Sequence, residues 1–281
     1  MWRPSTQKHT MRRLINRHPS GGGQIALGLL PFIVLAALYL FGSAARLAEN
    51  PTDKLLPSLT SLGAAIQQMA FTEDKRSGDL LLWLDTGASL KRLGISLAIS
   101  SLIGLIAGIA LGVIPYVRAT FASLVAALSM IPPLAILPIL FIVAGLGETA
   151  KIALIVIGVA PCVTRDLALR VGELPPEQLI KAQTLGASSW QLIVRVVLPQ
   201  VWPRLIDALR LSLGSAWLFL IAAEAIASTE GLGYRIFLVR RYLAMDIILP
   251  YVFWITVLAF GTDFLLRLLR AKLFPWTEQA R

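Results

Sequence analysis

The chain has 281 residues, 56% of them hydrophobic and only 15% charged, and a mean hydropathy of +0.72. A soluble domain carries about a quarter charged residues, so this balance excludes an ordinary water-soluble globule and predicts a polytopic membrane protein. The formal net charge of +10 would suit a nucleic-acid binder, and its placement has to decide.

Residues 1–18 hold Arg3, Lys8, Arg12, Arg13 and Arg17 and no acid. Directly before an apolar run, that cluster reads as the positive-inside signal rather than a DNA arm, so residues 1–22 are expected in the cytoplasm and no nucleic-acid partner is expected. Gln24–Ser43 follows as 20 uncharged residues. That is about 30 Å of helix, enough to cross a bilayer. Ser43-Ala44-Ala45 resembles a cleavage site, but the run exceeds a signal core and more spans follow. An uncleaved first span over 24–43 is the reading.

Arg46 to Asp85 is polar and mixed in charge, with Pro57–Ala70 reading as a short amphipathic helix on the outer face. The second span is placed at 93–117. Ser96, Ser100, Gly104, Gly108 and Gly112 recur every fourth position along it, a small-residue stripe that lets another helix approach closely. The third span, 119–146, is broken by Pro132-Pro133 and Pro138. Proline removes a backbone bond, which membranes tolerate where protein or a water-filled path surrounds the break. Met130, Pro132 and Pro133 therefore belong either to a pathway-lining kink or to an inert one. A short fourth span, 151–166, contains Pro161, with Lys151 able to snorkel outward.

Residues 168–203 form a polar, punctuated loop. Pro175-Pro176 suits a first helical turn, Gly186 suits the left-handed residue past the helix end, and Ser188 with Gln191 has capping-box spacing. Two short helices at an elbow are expected, the second stopping before Pro199. The fifth span is placed at 204–227, an outer loop with Gly231-Leu-Gly233 at 229–246, the sixth span at 247–266 and a cytoplasmic tail at 271–281. With both termini inside, the cytoplasmic segments carry 16 Lys and Arg against 6 acids, and the outer segments 10 against 10. The whole net charge falls on one side, as positive-inside topology requires.

Glu224 is the one acid well inside an apolar run, with Trp217 two turns earlier on the same face. A carboxylate there lines a translocation path or outer gate, or is bonded to nearby backbone. Arg204 with Asp207, and Asp263 with Arg267, have the spacing of helix-end pairs. Cys162 is the single cysteine, and His9 and His18 both lie in the basic segment. This leaves no disulfide framework, no metal-ligand cluster and no nucleophile–base pair. No Gly-Lys pair exists, so there is no phosphate-cradling loop and ATP hydrolysis by this chain is not expected.

Lys181-Ala182-Gln183-x-x-Gly186, followed by Leu198-Pro199, resembles the Glu-Ala-Ala…Gly…Leu-Pro loop of ABC importer permeases. Lys181 replaces the family's Glu and Gln183 its Ala, while Gly186, Ala187 and the Leu-Pro pair are intact. Leu55-Leu56-Pro57-Ser58 and Ala223-Glu224 with Gly231-Leu-Gly233 are similar to segments of the nitrate, taurine and aliphatic-sulfonate group. The resemblance implies an all-α, six-helix, type I importer fold in a bacterial inner membrane, working as a homodimer. It implies that Glu177, Lys181, Ala182, Gln183, Gly186, Ala187, Ser188, Trp190 and Pro199 form a coupling helix on a separate ATPase subunit, which would hold the ATP and Mg. It implies a periplasmic binding protein that delivers a small anion or organic nitrogen or sulfur compound. Met130, Pro132, Pro133, Trp217 and Glu224 are then the pathway candidates. The alternative is an ATP-independent secondary transporter, which calls for internal repeats with matching broken helices. No such repeat is visible, since the proline-broken spans are adjacent. A receptor or scaffold would leave the elbow and Glu224 without purpose.

Overall fold

The computed structural model describes residues 19–51, 53–74 and 78–277. The basic N-terminal segment with His9 and His18, and the last four residues of the tail, lie outside them. Every regular element among the described residues is helical.

The chain divides into two units, residues 1–58 and 59–281. In the first, helix α1 (Gly21–Glu49) opens on Ser20, whose hydroxyl accepts from the Gly23 amide. It contains 29 residues, nine more than the uncharged run, because a helix that has crossed the apolar layer continues through polar residues at no backbone cost. Its large apolar side chains, from Ile25 to Phe41, stay exposed, which suits lipid as solvent. The chain after it folds back: Tyr39 donates to the Pro57 carbonyl at 2.7 Å and Ser43 to Leu56 at 3.0 Å. Arg46 pairs with Asp53. That hydrogen bond, with a second from the Leu55 amide, holds the Asp53 carboxyl below the usual carboxylate range.

In the second unit, α2 (Leu59–Phe71) is followed by α3 (Leu81–Val113), α4 (Pro115–Leu128), α5 (Pro133–Ala144) and α6 (Glu148–Gly172). Next come α7 (Pro176–Thr184), α8 (Ser189–Leu192), a π turn over Ile193–Val197, α9 (Leu198–Ala227), α10 (Leu232–Arg240) and α11 (Met245–Leu273). Among the described residues five helices are long and apolar enough to cross a membrane, counting α8 through α9 as one stretch of 39 residues. The α4–α5 pair, bent by 93°, makes up to six.

The small-residue stripe of α3 packs on α6. A Cβ on Gly104 would sit 2.5 Å from Val163, on Gly108 2.7 Å from Leu167, and on Gly112 2.4 Å from Val171. Only hydrogen fits at these three positions, which is how two backbones come this close. Gly158 on the other side of α6 accepts the ring of Phe219 from α9 in the same way, 2.3 Å from a built Cβ. Helix α6 is thus the buried centre of the bundle, with Leu154, Ile155, Val159 and Leu167 fully inaccessible.

Four expectations change. The fourth span is no short segment but 25 residues, and Pro161 sits inside it without ending it. The third span is no single kinked helix: Pro115 separates α4 from α3, and Pro132-Pro133 opens α5 at nearly a right angle. The helix of the second span starts at Leu81, twelve residues ahead of the expected span, carrying Asp85 and Arg92 into the bundle. The outer loop after the fifth span contains the helix α10, which starts at Gly231-Leu-Gly233.

Candidate functional site

The elbow is built almost wholly by backbone chemistry. Pro176 occupies the first turn of α7, where a missing N–H leaves nothing unpaired. At the other end Gly186 has φ +83°, and its amide donates to Gln183 at 2.9 Å while Ala187 donates to Ala182 at 3.0 Å. Those two bonds form a Schellman motif, which closes a helix by reversing the backbone at a left-handed residue. It uses the carbonyls of Ala182 and Gln183 and no side chain, so Lys181 and Gln183 are tolerated beside it. Ser188 and Gln191 then form a reciprocal capping box, with bonds of 2.9 and 3.3 Å, and the chain turns into α8.

The second arm does not stop at Pro199, contrary to expectation. Proline clashes with the carbonyl four residues back. Here the π turn widens the helix ahead of it, with the Leu198 amide reaching Ile193, and Pro199 falls in the first turn of α9. The elbow therefore feeds directly into a span. Leu192 and Val197 are buried in the core, and Gln200 donates to Gln178 at 3.0 Å, tying α7 to α9. Outside this root, Glu177, Lys181, Gln183, Ser188 and Pro199 are exposed, and Ala187 and Ala182 half-buried. Ile180, Leu185 and Trp190 are 56%, 87% and 72% exposed on an otherwise polar element. Such an apolar group on a charged loop is the composition of a docking surface.

At the other end of the span, α10 begins against a polar knot. Glu224 is 0% exposed and Arg92 2%. Arg92 Nη1 is 2.8 Å from Glu224 Oε1, and the rest of its fork holds Glu148 at 2.6 and 2.9 Å. Lys151 is buried, 2.7 Å from Glu148 and 3.0 Å from the Ser228 hydroxyl. It turns inward rather than snorkelling, because these two partners lie within reach.

The start of α10 supplies the remaining donors. Gly231 N donates to Asp85 at 2.9 Å, Leu232 N to the Ser89 hydroxyl at 2.9 Å, and Gly233 N to Glu224 at 2.9 Å. Ser89 in turn donates to Glu224. Three successive amides at a helix start form a cradle for negative charge. Arg235 and Tyr251 complete the Asp85 shell at 2.8 and 3.1 Å. For Arg235, burial opposes its charge, and the Asp85 bond more than compensates, leaving its basicity raised.

The five pathway candidates do not share one surface. Met130 is 74% exposed and Pro132 exposed, Pro133 is half-buried near Gly158, and Trp217 and Glu224 are buried within the chain. The Trp217 indole N–H has no acceptor among the described residues. The helix-end pairs also differ. Asp207 holds Arg270 at 3.0 Å and Asp263 holds Arg210 at 2.8 Å, linking α9 to α11 across the interface, and along α9 Asp207 meets Arg210 at 3.8 Å rather than Arg204. Asp85, Ser89, Arg92 and Glu148 were not singled out from the sequence, and Lys151 was read only as a snorkelling cation. Their signal was present, since Asp85, Ser89 and Arg92 extend the stripe of Ser96, Ser100 and Gly104 toward the N-terminus. Among the described residues no group of His, Cys, Asp and Glu could hold a metal ion.

A bundle of apolar helices with a capped polar elbow rooted in one span is the arrangement that the resemblance implied. Residues 80–275 match the family described as the binding-protein-dependent transport system inner membrane component, and the chain belongs to that family of ABC importer permeases. Permeases of this family work with an ATPase and a substrate-binding protein. Over 198 residues, 70% of this chain and 72% of the relative, it is 37% identical to the taurine transport system permease protein TauC of Escherichia coli (strain K12). It is 30% identical over 241 residues, 80% of each chain, to the bicarbonate transport system permease protein CmpB of Synechococcus elongatus. In fold it is similar to a permease in inward-facing crystals of the MetNI methionine ABC transporter. That match has a TM-score of 0.55 and 22% identity, covering 66% of this chain and 95% of the other.

Proposed function

We propose that this chain, as a homodimer in a bacterial inner membrane, passes a small anion or small organic nitrogen or sulfur compound from a periplasmic binding protein to the cytoplasm. ATP is hydrolysed on a separate subunit, and both termini of this chain are cytoplasmic. The taurine and bicarbonate relatives support a small solute and leave its identity open.

The observation that carries the reading is the elbow. Residues Glu177 to Trp190 make a two-armed elbow with exposed Leu185 and Trp190, continuous with α9 through a π turn and Pro199. A groove on the ATPase that grips it moves α9 with it, which is how nucleotide turnover becomes a helix motion. Lys181, Gln183 and Ser188 form the polar rim of that contact; Ala182, Gly186 and Ala187 fix its shape. Met130, Pro132 and Pro133, at the exposed break of α4 and α5, line the path between two copies. Trp217 and Glu224 hold the wall of that path from behind, on α9.

The test is reconstituted transport with the cognate ATPase and binding protein. Gly186→Val is expected to leave the protein inserted while uptake falls away from ATP hydrolysis. An ATP-independent carrier would keep transporting with no ATPase bound, and that result sinks the reading.

A further inference from the structure

We infer that the root of the elbow holds an oxyanion site, in which Arg270, Arg204 and Arg170 receive a phosphate-type group. A cavity of about 470 Å³ lies there, lined by these three arginines together with Glu173, Gln200 and Trp276. It brings together the end of α6, the start of α9 and the end of α11. The volume lies in the range of small-molecule sites.

The donors in it are only partly used. Arg270 gives one end of its guanidinium to Asp207 at 3.0 Å, and its Nε is buried with no acceptor among the described residues. A buried guanidinium N–H without a partner is costly, more so than a neutral donor. Arg204 is exposed on the wall of the same cavity, with no carboxylate within salt-bridge distance among the described residues. Arg170 meets Glu173 at 3.2 Å and Asp166 at 3.7 Å, and the Arg170 and Glu173 side chains are open to solvent at 40% and 63%. Glu173 is the one carboxylate in the lining, against three arginines. Planar guanidinium forks match phosphate and sulfonate oxygens in pairs. A bound oxyanion would neutralise Arg204 and tie α9 to α11 beside the elbow.

Two sources offer this chemistry, a free anion and the headgroup of an anionic lipid, since Trp276 is the kind of side chain found at a membrane surface. The full chain is placed in nanodiscs of phosphatidylcholine alone, and in discs with added phosphatidylglycerol. Labelled inorganic phosphate is measured by equilibrium binding in the first, and retained phosphatidylglycerol by native mass spectrometry in the second. Saturable phosphate binding at one per chain identifies a free-anion site; lipid retention without it identifies a headgroup site. In either case Arg204→Gln weakens binding by roughly tenfold or more, while Arg241→Gln, at the far end of the bundle, does not. Arg270→Lys keeps the charge and loses the fork, and is expected to weaken binding similarly. Absence of both kinds of binding, or binding unchanged in Arg204→Gln and Arg270→Lys, overturns the site. The inference takes only its side of the membrane from the importer reading. Binding is read on the permease without ATPase or nucleotide, so the two ideas fail separately.

Discussion

Arg92 on α3 and Glu224 on α9 meet at 2.8 Å with both side chains withdrawn from solvent. Neither ion could be held there alone, because a lone buried charge is penalised far beyond what one contact returns. Each is therefore surrounded: Arg92 by Glu148, Glu224 and the Glu230 carbonyl, Glu224 by Ser89 and the Gly233 amide. Glu224→Ala is expected to lower stability by about 3–5 kcal/mol, the range for breaking a buried pair from one side. Thermal unfolding in detergent measures it. Replacing both ions by apolar residues of similar volume is expected to recover much of the loss, and a double mutant as unstable as the sum of the singles would contradict the pairing.

Gly231 should tolerate no side chain. Its φ is +120°, and a Cβ would lie 2.6 Å from the Glu224 carboxylate. Gly231→Ala strains the backbone and pushes apart the cradle that seats Asp85 and Glu224. It should destabilise about as much as Glu224→Ala. Gly94→Ala, where a Cβ meets nothing within 4 Å, is the matched control and should be neutral or slightly stabilising.

The close approach of α3 and α6 gives a graded test. Gly108→Leu must displace Leu167 and the Thr164 carbonyl, which a Cβ alone would already meet at 2.7 and 3.2 Å. Loss of folded protein is expected by size-exclusion profile in detergent. Gly87→Leu on the same helix faces open space and should give a normal yield. Equal yields from the two would mean that α6 does not sit on this stripe.

Coupling is expected to depend on the exposed apolar side chains of the elbow. Leu185→Asp places a charge where an apolar contact is proposed, and co-purification of the ATPase should drop by an order of magnitude or more, the scale of losing one interface anchor. Leu185 is 87% exposed, so the isolated chain should melt as the unaltered protein does. A fall in melting temperature would instead give Leu185 a structural role.

Orientation has a direct test, because Cys162 is the single cysteine. In a Cys162→Ser background, a cysteine at Ser188 should react with a membrane-impermeant maleimide in inverted vesicles and not in intact spheroplasts. A cysteine at Arg241 should do the reverse. The opposite pattern would place the elbow outside and end the coupling proposal.

What could be read in the chain itself was whatever rests on backbone rules and on solvent. Apolar runs announced the spans. The proline pair, Gly186 and the Ser188–Gln191 spacing announced the elbow, since caps and left-handed turns depend on residues three to five positions apart. The stripe from Ser96 to Gly112 announced close packing by its period, though not its partner. Only the tertiary structure could decide the rest. Lys151 looked like an outward-reaching cation because its partner Ser228 is 77 positions away. Arg92 carried no sign of its role because Glu224 is 132 positions away. Asp207 and Asp263 each had a neighbour at helical spacing, yet a better one on the facing helix. A charge inside an apolar environment is stable only with its partners in place, and those partners are chosen by how helices pack, not by their order along the chain.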